Sequence, residues 1–145
     1  MSTKTLKSAV ATMALLAFAP SAMAQELTLG LRAGPDSIDP HWSTLGSQAE
    51  ALRHVFDTLV DVDDNLQLQP GLAVSWEAVE DTVWEFKLRE GVKFHDGTDF
   101  TAEDAKFSID RIPEVTGPMP MTLYTKYVES VEVVDDYTLR VHTKG

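Results

Sequence analysis

Seven consecutive residues, Val83 to Arg89, alternate between two faces, with Trp84, Phe86 and Leu88 on one and Glu85, Lys87 and Arg89 on the other. A period of two places successive side chains on opposite sides of an extended chain, so the stretch demands a strand with one buried and one wet face. Partners lie close in sequence. Ser75 to Ala78 precedes it across Glu80-Asp81-Thr82, and Val128 to Val134 and Tyr137 to Thr143 alternate again around Asp135-Asp136. Polar dipeptides between alternating runs signal hairpins. Antiparallel strand pairs are therefore expected, with Trp76, Trp84, Phe86, Leu88, Phe94 and Phe107 spaced as core residues.

Two helices are expected between the strands. From Ser47, the residues Ala49, Leu52, Val55, Phe56 and Leu59 recur at helical spacing, and Ser47 with Glu50 fits a capping box. Thr101 is the expected N-cap of a second helix reaching about Ile112, with Glu103 and Asp104 in its first turn and Ala105, Ile109 and Ile112 as its apolar stripe. Pro113, Gly117, Pro118 and Pro120 make Ile112 to Met121 a loop, and Asp61 to Asn65 reads as a polar turn. Leu27 to Arg32 alternates as a further strand, and turns follow at Gly34 to Ser37 and Asp39-Pro40. Paired strands with helices between them give a mixed α/β (α+β) class.

The N-terminus reads as an export signal. Lys4 and Lys7 precede a short apolar run from Ala9 to Ala19, and Ala22-Met23-Ala24 offers small residues to a signal peptidase. The run is too short to span a bilayer, which takes about 20 residues. Residues 1–24 are thus expected to leave as a signal peptide, with cleavage between Ala24 and Gln25. There is no cysteine to carry a lipid anchor, so a soluble product without a membrane anchor is expected in a Gram-negative periplasm. Loss of Lys4 and Lys7 takes the net charge from −11 to −13, which argues against nucleic acid or anionic membrane as partner.

Candidates for covalent or metal chemistry are weak. His41, His54, His95 and His142 are scattered, without HExxH or paired helical spacing, so no metal site is expected. Asp61, Asp63 and Asn65 imitate the start of a calcium loop, yet Leu66 replaces the required glycine and Leu72 the closing glutamate. No GxSxG and no phosphate-binding glycine motif occurs. The chain is not expected to be an enzyme. Trp42, between a strand and a helix, serves either as packing or as a stacking surface.

Several segments resemble one family in order and at its spacing. They are Pro70-Gly71-Leu72-Ala73-Val74-Ser75-Trp76-Glu77, the stretch from Leu88 to Thr98 reading LREGVKFHDGT, and Thr101 to Ser108 reading TAEDAKFS. Ile38-Asp39-Pro40-His41, Val55 to Val60 and Val131 to Leu139 extend the likeness. The family is that of the family 5 extracellular solute-binding proteins, which serve ABC importers of dipeptides, oligopeptides and nickel. Asp99 departs from it, standing where proline is usual.

The resemblance implies a periplasmic binding protein-like type II fold, present here in part. Residues 25–59 would open lobe I and 60–145 would form most of an inserted domain, with the rest of lobe I and all of lobe II absent. It implies a monomeric binding component that takes peptides or similar solutes to ABC permease subunits of the inner membrane, with no cofactor. It also implies that the loop after Asp39-Pro40-His41 borders the ligand cleft. There Trp42 would wall the pocket, Ser43, Thr44, Leu45, Gly46 and Ser47 would make the bordering loop, and Thr44 to Gly46 would offer mainly backbone groups to an extended peptide. Gly46 would let a ligand approach the backbone closely. The same loop also reads as an ordinary connector before a helix. Two other functions compete: a small exported domain with a structural or protein-binding role, and a metal-dependent hydrolase built on His41, His95 and nearby acids.

Overall fold

In the computed structural model, which describes Thr28, Gly30 and residues 33–145, the alternating stretch becomes the second strand of a four-stranded sheet. In chain order the elements are α1 (Gly46–Leu52), β1 (Val60–Val62), β2 (Leu68–Pro70), β3 (Ala73–Glu80), β4 (Val83–Leu88), α2 (Ala102–Asp110), a 3-10 turn (Ile112–Glu114), α3 (Thr122–Thr125), β5 (Val128–Asp135) and β6 (Thr138–Thr143). All belong to the unit Leu31–Gly145. The expected export signal, its expected cleavage point between Ala24 and Gln25, and most of the expected strand Leu27 to Arg32 lie outside the described residues.

The sheet is antiparallel with order β3-β4-β6-β5. Its register aligns Trp76, Phe86, Leu139 and Val133 in one row across all four strands. The adjacent row, Glu77, Glu85, Arg140 and Glu132, necessarily faces the other way. On that charged face Glu85 takes Lys87 at 2.8 Å and Arg140 at 2.8 Å. The apolar face is covered by α2, whose small Ala102 and Ala105 join Leu88, Phe100, Val131 and Leu139 in the buried core.

The start of α2 is doubly held. Asp104 Oδ2 accepts from the Thr101 N–H at 2.8 Å and from its hydroxyl at 3.0 Å, and the Ala102 N–H donates to the Asp136 carbonyl at 2.8 Å. Such a cap contributes about 1 kcal/mol. Gly71 joins the segment after α1 to the sheet. The N–H groups of Leu72 and Ala73 donate to the carbonyls of Thr58 and Leu59, both at 2.8 Å. A Cβ at Gly71 would stand 2.3 Å from the Thr58 oxygen, so no other residue permits this approach.

Some sequence expectations are corrected. Trp84 shares the core-facing side of β4 but is 41% exposed, because burial on that face is deepest at the Leu88 end, where α2 lies. Phe94 is 45% and Phe107 67% exposed; α2 turns its alanines, not its largest side chain, to the sheet. The first helix ends at Leu52 rather than Leu59, since Thr58 and Leu59 are needed in extended form beside Leu72 and Ala73. Its N-cap is Leu45 without a side-chain cap, so Ser47 and Glu50 form no capping box.

Residues 61–65 are only partly a turn, because β1 pairs with β2 as a separate ribbon. Asp63 Oδ1 caps the ribbon's turn, accepting the N–H groups of Asn65 at 2.8 Å and Gln67 at 2.9 Å. That is a structural use of the carboxylate which the calcium-loop comparison does not anticipate.

Candidate functional site

The segment from Asp36 to Leu45 runs between turns without regular structure, so its backbone polar groups have to be satisfied individually. Its own short side chains do part of this. Ser37 Oγ accepts the Asp39 N–H at 3.0 Å, Asp39 Oδ1 the His41 N–H at 2.9 Å, and Ser43 Oγ the Leu45 N–H at 3.2 Å. These contacts, two residues on, are the local turns that Asp and Ser favour. From α1 the buried Gln48 reaches back over the loop. Its Oε1 accepts the Asp36 N–H at 3.1 Å, and its Nε2 donates to the Ser37 carbonyl.

A second support comes from Arg111, the C-cap of α2. Its Nη2 lies 2.6 Å from Asp39 Oδ2 and its Nη1 3.1 Å from Oδ1, a two-pronged ion pair. Nη1 also lies 3.1 Å from His41 Nδ1. A guanidinium can only donate, so Nδ1 accepts and the ring proton sits on Nε2. The hydrogen bond from Arg111 holds the Asp39 carboxyl below the ordinary carboxylate value, against the opposing effect of burial. His41 is pushed below its usual value, first by burial and then by the charge of Arg111, while Asp39 pulls the other way.

A third support is the segment after the 3-10 turn. The Thr44 N–H donates to the Met119 carbonyl at 2.8 Å, and Ser43 and Met119 form an isolated parallel bridge. Gly117 lies against Trp42 so tightly that a Cβ there would stand 1.8 Å from the Trp42 oxygen.

The five expected site residues are thus placed unequally. Ser43 is buried, Trp42 and Thr44 are half-buried, and Leu45 and Gly46 are exposed. The N–H groups of Thr44 and Leu45 are engaged within the chain, so the expectation that this stretch offers its backbone to a ligand does not hold for these two donors. Open space surrounds the position of a Cβ at Gly46. Sequence reasoning missed Arg111, Gln48, Gly117 and Met119 as the loop's supports. Only Gln48 lies near enough for a local signal, and a glutamine inside a helix gives none.

Two shallow hollows lie elsewhere. One of about 160 Å³ opens on the charged sheet face beside Glu85 and Lys87, and one of about 220 Å³ lies beside Gly71 and Arg89. Neither is lined by Trp42 to Gly46. Among the described residues no three acidic or histidine side chains stand together as metal ligands, and no helix is long and apolar enough to cross a membrane.

Residues 67–145 match the family described as bacterial extracellular solute-binding proteins, family 5 Middle. The periplasmic oligopeptide-binding protein OppA of Haemophilus influenzae is 31% identical over 137 residues, covering 82% of this chain and 25% of that protein. The crystal structure of that protein's complex with the peptide RPPGFSPFR superposes with a TM-score of 0.67 at 34% identity, over 77% of this chain and 25% of that one. NikZ from Campylobacter jejuni, solved in complex with Ni(L-His), gives a TM-score of 0.67 at 28% identity, over 77% of this chain and 22% of that one. The chain spans about a quarter of the length of these relatives.

Proposed function

The chain belongs to the bacterial extracellular solute-binding proteins of family 5, and from that membership we propose that it is the N-terminal part of the periplasmic binding component of an ABC importer. The full-length protein captures a peptide or similar solute between two lobes and hands it to the permease subunits in the inner membrane. It acts as a monomer, without covalent chemistry. Closure of one lobe on the other supplies selectivity and the signal for delivery. The family match over residues 67–145 is the observation that carries this reading. Residues 1–24 direct export and are removed between Ala24 and Gln25; residues 25–59 open lobe I, and 60–145 make most of the inserted domain.

Within that reading Trp42, Ser43, Thr44, Leu45 and Gly46 form one wall of the ligand cleft. The braced backbone and the open space at Gly46 support this assignment. The test is calorimetry on the full-length protein with a defined set of tri- to pentapeptides. Binding is expected, and Gly46→Trp should weaken it by more than about tenfold by filling the approach to the backbone. The melting temperature should barely move, since nothing lies within 4 Å of a Cβ at this position. An affinity unchanged by Gly46→Trp removes the loop from the cleft.

A further inference from the structure

Apart from Gln48 on α1, the supports of the Asp36 to Leu45 loop have a common origin. Arg111, Gly117 and Met119 all lie within nine residues that follow α2, and α2 is itself fixed to the sheet by the buried Ala102 and Ala105 and by the Ala102 to Asp136 hydrogen bond. A mechanical path therefore runs from sheet to helix to Arg111 to Asp39. Of these contacts only Arg111 engages two loop side chains at once, Asp39 through both oxygens and His41 through Nδ1. Asp39 in turn accepts the His41 N–H through Oδ1 and the Trp42 N–H through its carbonyl, at 2.9 and 3.3 Å. The position of the guanidinium is thus passed directly to the start of the proposed ligand wall.

We infer that Arg111 is a positioning residue for solute binding: its clamp on Asp39 and His41 holds the Trp42 to Gly46 wall in its ligand-ready shape before the ligand arrives. This rests on the reading of that loop as part of the cleft. A loop ordered in advance spares the complex the entropy of ordering it on binding. The geometry requires arginine, because a lysine ammonium cannot bridge both carboxylate oxygens and the imidazole as a planar fork does. Gly117 works with it, since the Trp42 carbonyl occupies the space where any side chain at 117 would begin.

The experiment uses the full-length protein and the tightest-binding peptide of the set above. Arg111→Met and the milder Arg111→Lys are compared with the parent by amide hydrogen exchange, free and at saturating peptide, and by calorimetry. Both variants should speed exchange at residues 38–45 in the free protein, leave the sheet strands unchanged, and regain protection with peptide bound. If the competent loop falls to about one tenth of the population, the apparent Kd rises about tenfold. Asp39→Asn should reproduce the effect, and the double variant Asp39→Asn/Arg111→Met should be no worse than either single, as for two partners in one contact. Unaltered loop exchange in both Arg111 variants overturns the clamp and leaves the cleft assignment standing. A loosened loop with unchanged affinity overturns both. Should Arg111→Met fail to fold, the Arg111→Lys comparison decides alone.

Discussion

His41 receives a hydrogen bond on Nδ1 from a group that can never accept one, and this sets the direction of its titration. Protonating that nitrogen would break the contact and place a second cation beside Arg111, in a half-buried position. The folded protein therefore binds a proton at His41 less readily than the unfolded chain, whose ordinary value is 6.5. Between the folded value and 6.5 the unfolded state carries more proton, so stability rises with pH across that window and falls as pH drops through it. Asp39 acts in the same sense further down. Its contribution is present above the ordinary 3.8 and is lost as pH falls through its lowered folded value. Melting temperature should accordingly decline as pH is lowered through 6.5 toward the folded value, and His41→Asn, whose amide oxygen can replace Nδ1 as acceptor, should flatten that stretch. The steeper loss below about pH 4 should remain. A decline of the same slope in His41→Asn would assign it to other groups.

At the scale of elements, β6, one of the two interior strands, holds the largest fully buried side chain of the sheet. Leu139 is fully buried, between Phe86 of β4 and Val133 of β5 in the register. Leu139→Ala should cost about 2–5 kcal/mol in urea unfolding, by loss of apolar burial and by the cavity left behind. Phe107→Ala, on the outward face of α2, should change stability by under about 0.5 kcal/mol. Equal losses would place α2 the wrong way round on the sheet. The two hairpins were legible in sequence from alternating runs separated by polar turn residues, although Ser75 to Ala78 lengthens to Ala73–Glu80 and the second turn falls one residue later than expected, at Asp136-Tyr137. Depth of burial was not legible. Trp84 and Phe107 have the sizes of core residues, but α2 is about 13 Å long and covers only part of the sheet. The overextended first helix failed for a related reason: its period continues to Leu59, while the tertiary pairing of Thr58 and Leu59 with Leu72 and Ala73 overrides it. The loop itself could be named from sequence by resemblance. The clamp that braces it joins residues 72 positions apart, and no spacing rule reaches that far.

For the whole molecule, the decisive quantity is how much of a ligand these residues can enclose. Sites that bind small molecules well are clefts of roughly 300–1,000 Å³ that bury about 70–90% of the ligand. Two hollows among the described residues, about 160 and 220 Å³, fall short of that and lie away from Trp42 to Gly46. On the proposed assignment the loop is a single braced wall, with Leu45 and Gly46 exposed. Its rigidity lowers the entropic penalty of binding only where an opposing surface supplies the remaining contacts. Such a surface is what the other three quarters of the relatives' length can provide. The 145-residue chain produced alone should therefore bind the peptide set no more tightly than about 1 mM, equivalent to roughly −4 kcal/mol. The full-length protein should bind its best peptide at least a thousandfold tighter, a difference of about 4 kcal/mol. Both are measured by calorimetry under one buffer, with cooperative thermal unfolding verifying that the shorter chain is folded. Micromolar binding by the shorter chain would locate a complete site within these residues and would overturn the assignment of Trp42 to Gly46 as one side of a two-sided cleft.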